Sequence, residues 1–361
     1  MKKLLTVSLC VLGLVAVGYF IARYFDGRFR DYERIAQVEI GSDAQLFYME
    51  NACGVLQQGA LDVYLLENGE HSLKSAFTGR ISGRIVANTE NYAVFEDGDA
   101  FAVWRLEEGR FSAVCRLEGG SVRLKQFGRD AYIRVTEADG SGSLHYLYNG
   151  DTGVLEDLSA KVDFTFTDYC RNMETGEVYY LLYRPVGEFV RTEIRYVNSS
   201  GEGRLAEIDN LLYNEFYYLD GVFALIAEEK LLFLEADTFV SRQFNYHDTS
   251  ALVRILLDKY AVFLAEEGYY FDGVNNFLIA GRSADKLSVK QELGLLCGFK
   301  DRAIYASGNA VYAIDAASGA GGDAPLFSLE GEITQLGCIG RNKIAAVCNG
   351  TLYFMEKTAG L

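Results

Sequence analysis

An aromatic residue recurs along this chain at nearly constant spacing, each time in a short apolar segment that runs into a turn rich in Gly, Asn or acidic residues. The positions are Tyr64 (DVYLLENG), Trp104 (AVWRLEEG), Tyr146 (LHYLYNGDTG), Tyr196 (IRYVNSSG), Phe233 (LLFLEAD), Tyr270 (GYYFDG), Tyr312 (AVYAIDAASG) and Tyr353 (TLYFMEKTAG). Successive intervals are 40, 42, 50, 37, 37, 42 and 41 residues. A period near this value is that of four-stranded propeller blades, because a small sheet cannot bury its own faces and must stack on the next copy.

A second apolar segment precedes the aromatic one in nearly every copy, as in YAVFEDG (92–98), AYIRVTEADG (131–140), VYYLLYRPVG (178–187) and IAAVCNG (344–350). Each pair is separated by the Gly, Asn or acid that a tight reversal needs. Segments farther upstream, such as AQLFYMEN (44–51) and ITQLGCIG (333–340), supply innermost strands; those downstream, such as RFSAVCRL (110–117), supply outermost ones. The expectation is an all-β chain forming an eight-bladed β-propeller, with seven blades as the alternative if the 50-residue interval around Pro185 hides an irregularity. The last copy ends at Leu361 without a fourth strand, and ERIAQVEI (33–40) alternates well enough to fill that vacancy and close the ring.

Composition agrees with many short strands: 24 Tyr, 23 Phe and 37 Gly against a single Trp and two Pro, in a chain of 361 residues that is 50% hydrophobic. A core of that size needs neither disulfides nor metals to hold it.

The N-terminus reads separately. After a tail of residues 1–3, the run from Leu4 to Ala22 holds 19 residues without a charge, enough to cross a bilayer as a helix, and Arg23, Tyr24 and Phe25 form an interfacial collar. The expected organisation is a tail (1–3), a transmembrane anchor (4–22), a stalk (23–32) and the propeller (33–361). A signal peptide cut near Ala16-Val17-Gly18 is the competing reading, and the basic residues on both sides leave orientation open. The short tail favours a single-pass protein in the cell membrane with its bulk outside the cytoplasm. Beyond residue 36 the chain carries 28 Lys and Arg against 47 Asp and Glu, a net of −19, which repels nucleic acid and anionic lipid.

AVYAIDAASG resembles the repeat core of the quinoprotein-like (PQQ-repeat, WD40-like) propellers, whose blades run aromatic, alanine, aliphatic, Asp, then a small residue and Gly. LHYLYNGDTG and TLYFMEKTAG are similar, with Asn149 and Glu356 in the Asp place. The chain also resembles single-anchor propeller proteins of clostridial-type bacteria. The resemblance implies a propeller that is either a quinone-dependent dehydrogenase or a non-catalytic module such as the outer-membrane assembly propeller. Quinone-binding members use a Trp platform, an acidic calcium site and often vicinal cysteines; here there is only Trp104 and no adjacent Cys pair.

No catalytic or metal-binding constellation stands out. His71, His145 and His247 are isolated, and Gly319–Gly322 lacks the following helix that a phosphate loop needs. Asn198 and Asn349 sit in glycosylation-type triplets that double as turns. Of seven cysteines, Cys297 and Cys338 each lie 15 residues before their aromatic anchors, on equivalent inner strands of neighbouring blades where a disulfide is conceivable, with unpaired thiols the default.

Charge is the remaining signal. Turns between second and third strands emerge on one face and include Asp97 and Asp99, Glu137 and Asp139, Glu228 and Glu229, and Glu266 and Glu267, a candidate acidic docking face. Turns between first and second strands carry Arg129, Lys259, Lys300, Arg302, Arg341 and Lys343, so a molecule with two electrostatically distinct faces is expected. The reading that follows is a membrane-tethered, non-catalytic protein-binding or scaffolding module of the cell envelope, with no cofactor or metal, no nucleic-acid partner and at least one protein partner. The alternatives are a quinone- or metal-dependent enzyme, or a carbohydrate or peptidoglycan sensor, using the central funnel.

Overall fold

A computed structural model describes residues 32–358, apart from 71, 199, 210–212, 214, 220, 227–229, 237–240, 246–251, 257–259, 266–275, 281–282, 287–293, 300–301 and 315–320. The segments expected as tail, anchor and most of the stalk lie outside these residues, as do Tyr270, His71 and His247. No helix among the described residues is long and apolar enough to cross a membrane.

The described residues form eight four-stranded antiparallel sheets. We number them by their innermost strands: Gln45–Tyr48, Ile85–Asn88, Ser121–Phe127, Asp168–Arg171, Glu215–Leu219, Leu252–Leu256, Leu296–Phe299 and Ile333–Ile339. Within each sheet the chain steps outward strand by strand, and innermost strands of neighbouring sheets pack on one another from the first to the third, from the fourth to the fifth and from the sixth to the eighth, with the eighth also packing on the first. That arrangement is a β-propeller. The outermost strand of the eighth sheet comes from the other end of the chain: Tyr32–Glu39 runs antiparallel to Thr351–Lys357, from Tyr32 opposite Lys357 to Glu39 opposite Thr351.

Second strands are buried on both faces because a sheet lies on either side of them. Hence Val222–Ile226 (VFALI) and Lys343–Cys348 (KIAAVC) are buried at every position, and Tyr92, Phe95, Tyr132 and Tyr305 are among the largest fully enclosed side chains. The recurring aromatic residues stand on third strands, opposite residues such as Cys53, Ala93, Ala224 and Ala346. Except for buried Phe233, those described are half-buried, while the residues flanking them, such as Val63 and Leu65 or Leu352 and Phe354, are enclosed. They are spacers between sheets: Trp104 stacks on Phe111 at 5.2 Å and meets Phe77 of the first sheet edge-on at 5.1 Å.

Turns follow the same logic. The hairpin VCNGTL reverses through Asn349 and Gly350, whose φ values of 51° and 75° are those of a type I′ turn matched to the strand twist. The 50-residue interval corresponds to the fourth sheet, which is preceded by a connection containing the 3-10 turn Ser159–Lys161. Its strands Val178–Val186, Phe189–Asn198 and Gly201–Asp209, of 9, 10 and 9 residues, make the longest hairpins described.

Candidate functional site: the central cavity and the turn faces

Among the described residues, seven of the innermost strands contribute to the wall of a central cavity of about 760 Å³. Its walls run through Asn88–Glu90, Phe127–Gly128 and Arg171–Glu174, the turns between first and second strands, so it opens on that face of the ring. One side carries Tyr48, Cys297 and Cys338; the other carries Lys125, Cys170, Tyr217 and Tyr218.

Lys125 is the one lysine among the described residues of the wall, and its ammonium makes three hydrogen bonds. Its Nζ lies 2.5 Å from Asp168 Oδ2 and donates to the carbonyls of Phe216 (2.8 Å) and Tyr169 (3.2 Å). Asp168 in turn accepts from the Phe216 amide at 2.9 Å, and the Tyr217 ring lies 4.5 Å beneath the ammonium. With these contacts the side chain ties the third, fourth and fifth sheets together at the axis. Arg171 at the mouth is similarly committed to Asp130 at 3.1 Å.

Behind this node the Tyr132 hydroxyl shares a hydrogen bond of 2.8 Å with His145 Nδ1, and the imidazole packs on Phe166 with centroids 4.2 Å apart. Burial, reinforced by the Arg134 charge, lowers the His145 pKa to about 4, so the ring is neutral at pH 7. Because the unfolded chain takes up this proton near pH 6.5 and the folded one only near 4, stability is intact above pH 6.5 and falls as pH drops through that window, by up to about 3 kcal/mol. His145→Gln is expected to flatten this part of a urea-midpoint profile; identical slopes in variant and parent between pH 6.5 and 4 would count against it.

The expected acidic residues divide. Asp97, Asp99, Glu137 and Asp139 lie at turns between second and third strands, with Asp99, Glu137 and Asp139 exposed; Glu228, Glu229, Glu266 and Glu267 lie outside the described residues. Asp97 is partly neutralised, accepting from Arg116 Nη1 at 2.5 Å and from the Ser82 hydroxyl at 2.6 Å. Hydrogen bonds from Ser141 hold the Asp139 carboxyl below the ordinary range, so it stays ionised. The opposite face is less basic than its sequence suggests. Arg129 is paired with Asp151 at 2.9 Å and with Glu107, and Lys343, expected at a turn, is buried between sheets against Asn68 and Glu356. Short strands let a charge one residue from a turn fold inward wherever a neighbouring sheet offers a carboxylate. Lys259 and Lys300 lie outside the described residues.

Sequence reasoning passed over the tip of the fourth-sheet hairpin. Val186 and Phe189 face each other across Gly187-Glu188 and are 40% and 63% exposed, Phe189 the most exposed large apolar side chain described. The signal was present as an apolar pair around a turn inside the one over-long interval.

No protein-family model matches the chain, and no curated protein matches it in sequence. Three of the solved structures similar to it illustrate the range. BamB from Moraxella catarrhalis is 10% identical with a TM-score of 0.45, over 90% of this chain and 99% of that one. Hsv2p from Kluyveromyces lactis is 10% identical with a TM-score of 0.35, over 67% of this chain and 98% of that one. Sqt1 from Saccharomyces cerevisiae is 10% identical with a TM-score of 0.37, over 87% and 84% respectively.

Proposed function

We propose that this protein is an eight-bladed propeller held at the outer side of a cell membrane by residues 4–22 and acting as a non-catalytic module that binds an envelope protein. The observation that carries the reading is a juxtaposition on one face. The exposed pair Val186 and Phe189 crowns the fourth-sheet hairpin, and the neighbouring third and second sheets present Glu137, Asp139, Asp97 and Asp99 from their equivalent turns. An exposed aromatic on the same face as these carboxyl side chains suits a partner segment that couples an apolar side chain to basic ones: the ring supplies the buried anchor and the acids supply register and attraction. The net charge of −19 beyond residue 36 favours the same partner chemistry and disfavours nucleic acid.

Photo-crosslinking in native membranes tests this. A benzophenone amino acid at position 189 is expected to give one defined adduct, and Glu137→Gln with Asp139→Asn and Asp97→Asn should lower its yield on the order of tenfold at fixed salt. The same probe at position 173, at the mouth of the cavity on the other face, should not give that adduct. No adduct from position 189, or one indifferent to both charge and face, would remove the proposal. Carbonate extraction and protease access in intact cells and lysates test the anchor and its orientation.

A further inference from the structure

Cys297 and Cys338 stand on the innermost strands of the seventh and eighth sheets with their sulfurs 3.5 Å apart. Both side chains line the central cavity, which admits a small molecule from the turn face. Cys338 is 5% exposed and Cys297 half-buried; Cys170, 1% exposed, lies across the same cavity, Cys53 and Cys348 are buried at 2% exposure or less away from it, and Cys115 sits on the outer strand Arg110–Glu118. Beside the pair, the Tyr48 ring lies flat against Gly337, where any Cβ would fall 2.2 Å from a ring carbon, so the backbone next to Cys338 is held close.

We propose that Cys297 and Cys338 form a dithiol–disulfide site, oxidised by small disulfides that enter through the cavity. The sulfurs are already in van der Waals contact on neighbouring innermost strands, and must close to the roughly 2.05 Å of a disulfide. The thiolate of one cysteine attacks a small disulfide RSSR, forming a mixed disulfide and releasing RS⁻. The second thiolate attacks the protein sulfur of that mixed disulfide, closing the intramolecular bond and releasing a second RS⁻. Two protein thiols thus lose two protons and two electrons, and RSSR becomes two RSH. The bond would staple the seventh sheet to the eighth, the sheet that also holds both ends of the described chain. It closes a loop of 41 residues.

The full-length protein, reduced and then treated with hydroxyethyl disulfide, is expected to lose two hydrogens in mass, to carry no adduct on these residues, and to yield a peptide pair linking Cys297 to Cys338. Its melting temperature should rise by about 5–10 °C on oxidation, and the rise should vanish in Cys297→Ala/Cys338→Ala. Cys297→Ser alone should trap a single mixed disulfide on Cys338, which shows that a small disulfide reaches the site even if that variant is less stable. Separate adducts on the two cysteines of the parent, two unreacted thiols, or a link from either one to another cysteine would each overturn the proposal.

Discussion

A chain beginning at Gly41 is expected to fail as a soluble monomer, whereas one beginning at Asp31 should melt like the full-length protein. Only the first deletion removes Tyr32–Glu39, the outer strand of the eighth sheet. Its loss uncovers the edge of Thr351–Lys357 and exposes the cluster in which Ile35 packs with Phe354, Leu352 and Val347, while Tyr32 leaves its contact with Phe327. Each of those two buried side chains is worth about 2–3 kcal/mol, and the strand's hydrogen bonds about 0.5–1.5 kcal/mol each. The sum is on the order of the total stability of a typical domain, and the open edge that remains is a template for aggregation. Size exclusion and thermal melts separate the behaviour of the two shortened chains, and a synthetic peptide spanning residues 32–40 should restore solubility by adding back the strand. A Gly41 chain that stays monomeric with an unchanged melting temperature would mean that the ring does not depend on this closure.

The second large effect is expected from Lys125→Met. Methionine fits the stem of the lysine but leaves the Asp168 carboxylate, 1% exposed, without its cation. Orphaning one member of a buried pair costs about 3–5 kcal/mol, which corresponds to a fall in melting temperature of about 10 °C. Neutralising the partner as well should recover part of the loss, because an asparagine still accepts the amide of Phe216 without carrying a buried charge. Urea unfolding of Lys125→Met, Asp168→Asn and the double variant gives the coupling directly. Strict additivity of the two single effects would show that the ion pair contributes nothing and that Lys125 acts only through its contacts to the carbonyls of Phe216 and Tyr169.

These two effects differ in how far each could be read before any coordinates. The repeat of about 41 residues, with its paired apolar segments and turns, announces strands because each signal is local: alternation within six residues, and an Asn-Gly or Gly-acid reversal between them. The Lys125 node is not local. Its partners lie 43, 44 and 91 residues away, and nothing in KQF, DYC or EFY distinguishes them from surface residues at strand ends. The recurring aromatic side chains show the same limit in a milder form. Their spacing marked the repeat, yet their half-burial between sheets, with the true core on the strand before, depends on how one blade leans on the next. Charge was the least legible. Lys343 and Arg129 both fall at turns in the sequence, and one is buried while the other is cancelled by acids from its own face.

Sequence alone therefore determined that this chain is built of short antiparallel strands in repeated groups, that its surface is acidic and that its first residues form a separate apolar run. Those properties are set by neighbours within a few positions or by totals, and no fold can alter them. Tertiary structure decided which groups meet at the axis: that Lys125 ties three sheets together, that His145 is held neutral, that Cys297 and Cys338 come within 3.5 Å, and that Phe189 is left in solvent. Each of these is a distance between strands from different sheets or an exposure set by what a neighbouring sheet fails to cover, and only the closing of a ring fixes either.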